Sequence, residues 1–165
     1  MTRATAKRKS STAKPAVRCA VVVFDAAWAK ALPEAERLVR RAARAAIAGT
    51  RRSGTRSLAV ALADDRRVRA LNARDRRKDK PTNVLSYPSG ERGFAGDVIL
   101  ARQTVWREAR AQGKSPADHV THLVVHGVLH LLGHDHEDDS EAERMERLER
   151  RILARLGVAD PYEVR

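Results

Sequence analysis

The sequence is poor in cysteine and in aromatic residues: among 165 residues there is one Cys and two each of Trp, Tyr and Phe. A lone Cys19 excludes an internal disulfide, so no disulfide partner is expected. Its place ahead of Ala20-Val21-Val22-Val23-Phe24 suits a small buried residue on a strand. So few aromatic rings leave little for base stacking, a common device for gripping single-stranded RNA. No apolar run approaches the ~20 residues of a membrane helix, so no membrane association is expected. Met1 to Pro15 has no acid and no apolar core, which excludes a secretory signal. It reads as a basic, disordered arm over residues 1–15 that can touch phosphates. A mitochondrial presequence, or a tail without function, has the same composition. A reducing cytoplasm fits the cysteine count, with a mitochondrion or plastid the location only for a eukaryotic source.

What the sequence has in excess is positive charge. Lys and Arg total 33 against 21 Asp and Glu, a formal net charge of +12. Such a balance points to a polyanionic partner, nucleic acid first, although solvated faces filled with Arg would give the same sum. The length suits one domain with one core, placed here at residues 16–165.

Val17 to Asp25 reads as a β-branched first strand. Pro33 opens a helix that ends near Gly49, the usual Pro-first, Gly-last asymmetry. Arg51 to Gly54 reads as a basic turn and Ser57 to Ala63 as a second strand. Asp64 caps a short helix through Val68 and Leu71, which runs out into the charged stretch Ala73 to Lys80. Val84 to Tyr87 and Asp97 to Leu100 read as third and fourth strands, paired antiparallel across a glycine-rich connection. Arg102 to Gln112 has helical character. Ser115, Pro116 and Asp118 mark the start of a helix that stops at Gly133. A last helix begins at Ser140, with Glu143 completing its capping box, and closes at Gly157. The order β-α-β-α-β-β-α-α-α implies an α+β fold: a small mixed four-stranded sheet packed with about five helices.

The chemistry concentrates in His126-Gly127-Val128-Leu129-His130-Leu131-Leu132-Gly133-His134-Asp135-His136. Residues four apart on a helix share a face, about 6 Å apart along the axis, so His126 and His130 can bind one ion. Gly133 lets the backbone turn left-handed and return with His136. Three imidazoles with a fourth position open is the arrangement of a catalytic zinc site, and one zinc ion is expected. His134 competes for the third place, but the spacing favours His136. Satisfied core histidines are the bland alternative. His122, one turn before His126 and about 12 Å from His130, supports the ligands, contacts substrate or simply packs; His119 is farther away. Asp135 can orient an imidazole, act as a base or cap the turn.

The spacing HxxxHxxGxxH is metzincin-like, but those proteases carry Glu directly after the first His as general base. Here that residue is Gly127. A peptidase thus loses its proton acceptor, and the glycine is expected to leave room beside the metal.

The motif HGVLHLLGHDH at 126–136 resembles the signature of the YbeY family, endoribonucleases of rRNA maturation in bacteria and organelles. So does Leu71-Asn72, followed by Arg76 and by Lys78-Asp79-Lys80-Pro81-Thr82-Asn83-Val84-Leu85-Ser86-Tyr87-Pro88. Gly96-Asp97-Val98 and the acidic stretch ahead of the last helix match as well. The resemblance covers roughly residues 17 to 163 and leaves out the basic arm; His134 stands where an aromatic residue is expected. It implies a single-strand-preferring endoribonuclease acting with the small ribosomal subunit, on the 3′ end of its RNA and in ribosome quality control. It implies zinc on His126, His130 and His136, and Arg76 as the essential basic residue of the cleft. The residues agree: a Lewis-acidic metal polarises a phosphoryl oxygen or generates hydroxide, and an arginine holds two phosphate oxygens. Either a water or the RNA 2′-OH can be the nucleophile. Arg74, Arg77, Lys78 and Lys80 read as a solvated loop that contacts RNA backbone. Asn83 and Ser86 fit packing and turn roles better than substrate contacts. Two other functions remain in view: a non-enzymatic ribosome assembly factor with a structural metal, and a metal-dependent peptidase or other hydrolase.

Overall fold

A computed structural model describes residues 15–50 and 54–163. Four strands form one sheet: β1 (Arg18–Val23), β2 (Ser57–Ala63), β3 (Val84–Pro88) and β4 (Phe94–Ala101). Six helices accompany them: α1 (Ala27–Ala31), α2 (Ala35–Gly49), α3 (Asp65–Arg76), α4 (Arg102–Ala111), α5 (Pro116–Leu131) and α6 (Asp139–Arg155). The strand order is β1-β2-β4-β3. β1, β2 and β4 run parallel, and β3 turns back to pair antiparallel with β4 at the edge. The expected mixed sheet and antiparallel excursion are therefore present. The basic arm and most of the Arg51–Gly54 turn lie outside the described residues.

Alternation along the strands decides which face is covered. Leu58, Val60 and Leu62 of β2 and Val98 and Leu100 of β4 are buried in the main core. Against them lies α2, whose Val39, Ala42, Ala43, Ala46 and Ile47 recur at helical spacing and are buried. Burial of each Leu, Ile or Val contributes roughly 1.5–3 kcal/mol. α5 is the central helix, with Val120, Leu123, Val124, Val125, Val128, Leu129 and Leu131 all buried. A helix that is apolar around most of its circumference belongs inside. Its half-buried stripe is His122, His126 and His130, so packing of the rest of α5 aims the histidines at solvent.

Several boundaries differ from the sequence reading. A short additional helix, α1, precedes Pro33; its Trp28 is buried and donates from Nε1 to the Ala63 carbonyl at 2.8 Å. α3 extends to Arg76, so Arg74 and Arg76 stand in a helical last turn rather than in a loop. Its cap is as expected, Asp64 accepting from the Arg67 amide. α6 starts earlier than Ser140: Asp138 is the N-cap and accepts from the Glu141 amide at 2.8 Å. Three acids stand in sequence before Ser140, and the first to reach a free amide takes the cap.

Candidate metal centre and basic cleft

Ser115 caps α5 by accepting from the Asp118 amide at 3.1 Å, with Pro116 in the first turn. The helix then carries His126 and His130 on one face, with ring centroids 4.6 Å apart and their Nε2 atoms 3.1 Å apart. Gly133 has φ +88°, the left-handed conformation the motif requires. The turn is closed by the His134 amide donating to the Leu129 carbonyl at 3.0 Å. It brings the ring of His136 to 5.0 Å from that of His130 and 5.9 Å from that of His126. Three imidazoles thus converge from a helix and the turn after it. Burial, together with the neighbouring His126 and His136, lowers the pKa of His130 to about 4. A neutral imidazole is the form that binds a metal. Among the described residues, His130, Asp135 and His136 have ligand atoms within 4.8 Å of one another, as do His122, His126 and Glu149. These donor sets fit a divalent ion such as zinc, which takes imidazole nitrogen and carboxylate oxygen.

The histidines form one wall of a cleft of about 620 Å³. Arg76, Lys78, Lys80, Asn83 and Ser86 also line it. Arg76, at the end of α3, donates from Nη2 to the Ser86 carbonyl at 2.8 Å. The Lys78–Lys80 segment is fixed by buried Asn72, whose Nδ2 donates to the Lys80 carbonyl and whose carbonyl accepts from the Lys78 amide. Asn72 thereby acquires a reason for its place in the motif. Asp135, on the same wall as the histidines, accepts from the His136 amide at 2.7 Å.

Arg74, Arg77 and His122 have other main surroundings. Arg74 borders an adjoining, more apolar hollow on the open face of the sheet, which Arg76 and Ser86 also line, and pairs with Asp75 at 2.6 Å. Arg77 is the left-handed C-cap of α3, exposed on the surface. His122 faces a smaller hollow with His119 and Tyr162. Asn83 and Ser86 border the cleft itself, where Asn83 donates to Glu108 and Ser86 Oγ donates to the Gly127 carbonyl at 3.0 Å.

Gly127 requires a correction. It leaves no room beside a metal: a Cβ there would lie 2.8 Å from Val98 Cγ1, 3.2 Å from Ser86 Oγ and 3.3 Å from Val84 Cγ2. It permits α5 to press against β3 and β4, on the side of the helix that meets the sheet.

The sequence reading missed Glu149, a glutamate among many acids of α6. It is fully buried. Its Oε1 is 2.5 Å from His126 Nδ1 and its Oε2 is 3.3 Å from His122 Nε2. The Tyr162 hydroxyl also donates to Oε2. Burial pushes the carboxyl pKa up, but the hydrogen bonds from His122, His126 and Tyr162 outweigh it and bring it down to about 2. Burial, and then the same contact, raise the Tyr162 pKa. The available signal was spacing: Met145, Glu149, Ile152 and Leu153 share the buried face of α6.

A mixed sheet backed by helices, with metal-capable histidine clusters beside basic residues in one cleft, defines a metal-capable protein. The sequence model of the family Endoribonuclease YbeY matches residues 25–157, and the chain belongs to that family. Among curated relatives, Endoribonuclease YbeY of Azorhizobium caulinodans is 53% identical over 150 residues, 86% of this chain and 94% of the relative. That of Chelativorans sp. is 54% identical over 132 residues, covering 76% and 81% respectively. A solution structure of a Thermotoga maritima protein matches with TM-score 0.51 and 20% identity, covering 88% of this chain and 99% of that one, and shares the fold.

Proposed function

We propose that residues 16–165 form a metal-dependent endoribonuclease of rRNA processing. Single-stranded RNA is its substrate, and the 3′ end of small-subunit rRNA is its place of action, in the context of the small ribosomal subunit in the cytoplasm. The ion is zinc, one per chain, held by His126, His130 and His136. The observation that carries the reading is the convergence of three imidazoles in one cleft with Arg76, Lys78 and Lys80.

When bound, the ion supplies Lewis acidity at a phosphoryl group. The protein does the rest. Arg76 is held by one N–H on the Ser86 carbonyl, leaving its other donors to take phosphate oxygens and the charge that grows on them. Lys78 and Lys80 grip the flanking backbone as point charges. Arg74 and Arg77 add further positive charge for the RNA backbone. Asp135 steadies the turn that carries His136, and His122 supports His126 through Glu149. Gly127 offers no carboxylate where zinc peptidases hold their base, which disfavours peptide hydrolysis.

The test is cleavage of a labelled single-stranded rRNA fragment, with zinc content measured on each sample. The expected outcome is that His126→Ala and chelated protein lose both metal and cleavage. Arg76→Ala should keep metal and lose roughly 10²–10³ in rate, the usual cost of one such donor. Stoichiometric metal with cleavage absent, or unchanged in the variants, would replace this reading with an assembly factor that uses the ion structurally.

A further inference from the structure

The ligands of the centre sit on α5 and its exit turn, yet the group that orients the first of them comes from α6. We propose that Glu149, held by Tyr162, is a positioning residue that fixes the tautomer and ring orientation of His126. The inference rests on the metal-centre reading of His126, His130 and His136.

An imidazole has two nitrogens. The Glu149 carboxylate takes Nδ1 of His126 at 2.5 Å. The proton then resides on Nδ1, and the lone pair is on Nε2, which lies 3.1 Å from His130 Nε2. A carboxylate behind a ligand histidine fixes its tautomer in this way and raises its basicity. A structural role alone explains the group poorly. Met145, Ile152 and Leu153 share its buried face, and a buried ionic or polar cluster replaced as a whole by apolar residues of similar volume is often no less stable. Instead a carboxylate with 0% exposure is kept there and given several donors.

Those donors include one from beyond α6. Arg150 donates to Asp160 at 3.2 Å, and its guanidinium lies 5.1 Å from the Tyr162 ring centroid. The Tyr162 amide closes the turn on Asp160 at 2.9 Å. This places the Tyr162 hydroxyl on Glu149 Oε2 and its ring 5.7 Å from that of His122. The segment after the last helix is thereby tied to the metal helix.

Two measurements decide it, neither of them RNA cleavage. Long-range ¹H–¹⁵N spectra of the metal-free protein report the His126 tautomer. Competition against a chromophoric chelator reports zinc affinity. Wild type is expected to hold His126 as the Nδ1–H form. Glu149→Leu, folded by circular dichroism, should show a mixed or Nε2–H tautomer and bind zinc about 10–100-fold more weakly. Glu149→Gln retains an acceptor and should lose less. Tyr162→Phe should shift both readouts in the same direction by a smaller amount. A folded Glu149→Leu with wild-type tautomer and zinc affinity would overturn the proposal. If Glu149→Leu does not fold, Tyr162→Phe decides, and no change in either readout overturns it. Should wild type itself bind no zinc, the metal-centre reading fails, while the tautomer comparison still judges Glu149.

Discussion

Gly127 separates the chemistry of the motif from its packing. Alanine normally improves a helix interior over glycine by about 1 kcal/mol. Here the added methyl would meet Val98, Ser86 and Val84, and overpacking costs typically 1–3 kcal/mol. Gly127→Ala is therefore expected to destabilise the protein, read as a lower urea midpoint with unchanged slope. A midpoint at or above wild type would show that α5 and the sheet separate easily. Restoring the protease glutamate at 127 should be worse still, since the longer side chain points into the same contact. The histidine spacing was legible in the sequence because four residues on a helix is a local geometry. Glu149 was less so: its spacing from Met145 and Ile152 puts it on the buried face of α6, but the partner that gives it a role lies 23 residues away.

α3, α5 and α6 start where a capping side chain reaches a free amide, and α6 distinguishes two candidates for that role. Asp138 accepts from the Glu141 amide at 2.8 Å, whereas Ser140 already lies inside the helix. Asp138→Ala should cost about 1 kcal/mol of unfolding free energy, and Ser140→Ala should leave it nearly unchanged. Equal effects in thermal melts would argue against this cap. Ser115 and Asp64 were found from sequence because each is a single capping residue ahead of an apolar pattern. Asp138 was hidden in a run of acids, where only the path of the chain after His136 selects one. The end of α3 was misplaced for a related reason. Its last turn is nearly all charged, so no apolar periodicity marks it, and contact with β3 and β4 extends the helix to Arg76.

The whole molecule carries a net charge of +12, so RNA binding should weaken steeply with salt. Three cleft cations on phosphates correspond to a slope of about −2 in log K against log salt for single strands. Lys78→Ala and Lys80→Ala should each reduce that slope by ~0.7. Slopes unchanged in both variants would move the RNA track away from this cleft. Acid should unfold the metal-free protein early. Burial lowers the pKa of His119, despite its bond to Glu108, and that of His130 to about 4, from an ordinary 6.5. Below pH 6.5 the unfolded chain takes up protons that the folded chain refuses, so stability falls with pH over that window. Glu149, lowered from 4.5 to about 2, adds a loss of the same sign further down. Denaturation at pH 7, 6 and 5 reads the first effect, and a flat profile would contradict it.

The sequence by itself determined the elements with strong local signals: the β-branched strands, the amphipathic α2, the capped α5, and a three-histidine motif whose geometry spans barely three turns of chain. It also determined the charge that suits a phosphate-bearing ligand. The tertiary structure alone decided what those pieces face. Covering one side of the sheet with α2 and α5 turned the histidine stripe outward. The end of α3 set Arg76 in the same cleft as His126 and His130 of that stripe, while Arg74 borders the hollow on the open face of the sheet. Folding α6 and the Asp160–Tyr162 turn against α5 placed a buried carboxylate behind His126. Each of these depends on contacts between residues far apart in the chain, and such contacts leave no period or spacing in the sequence.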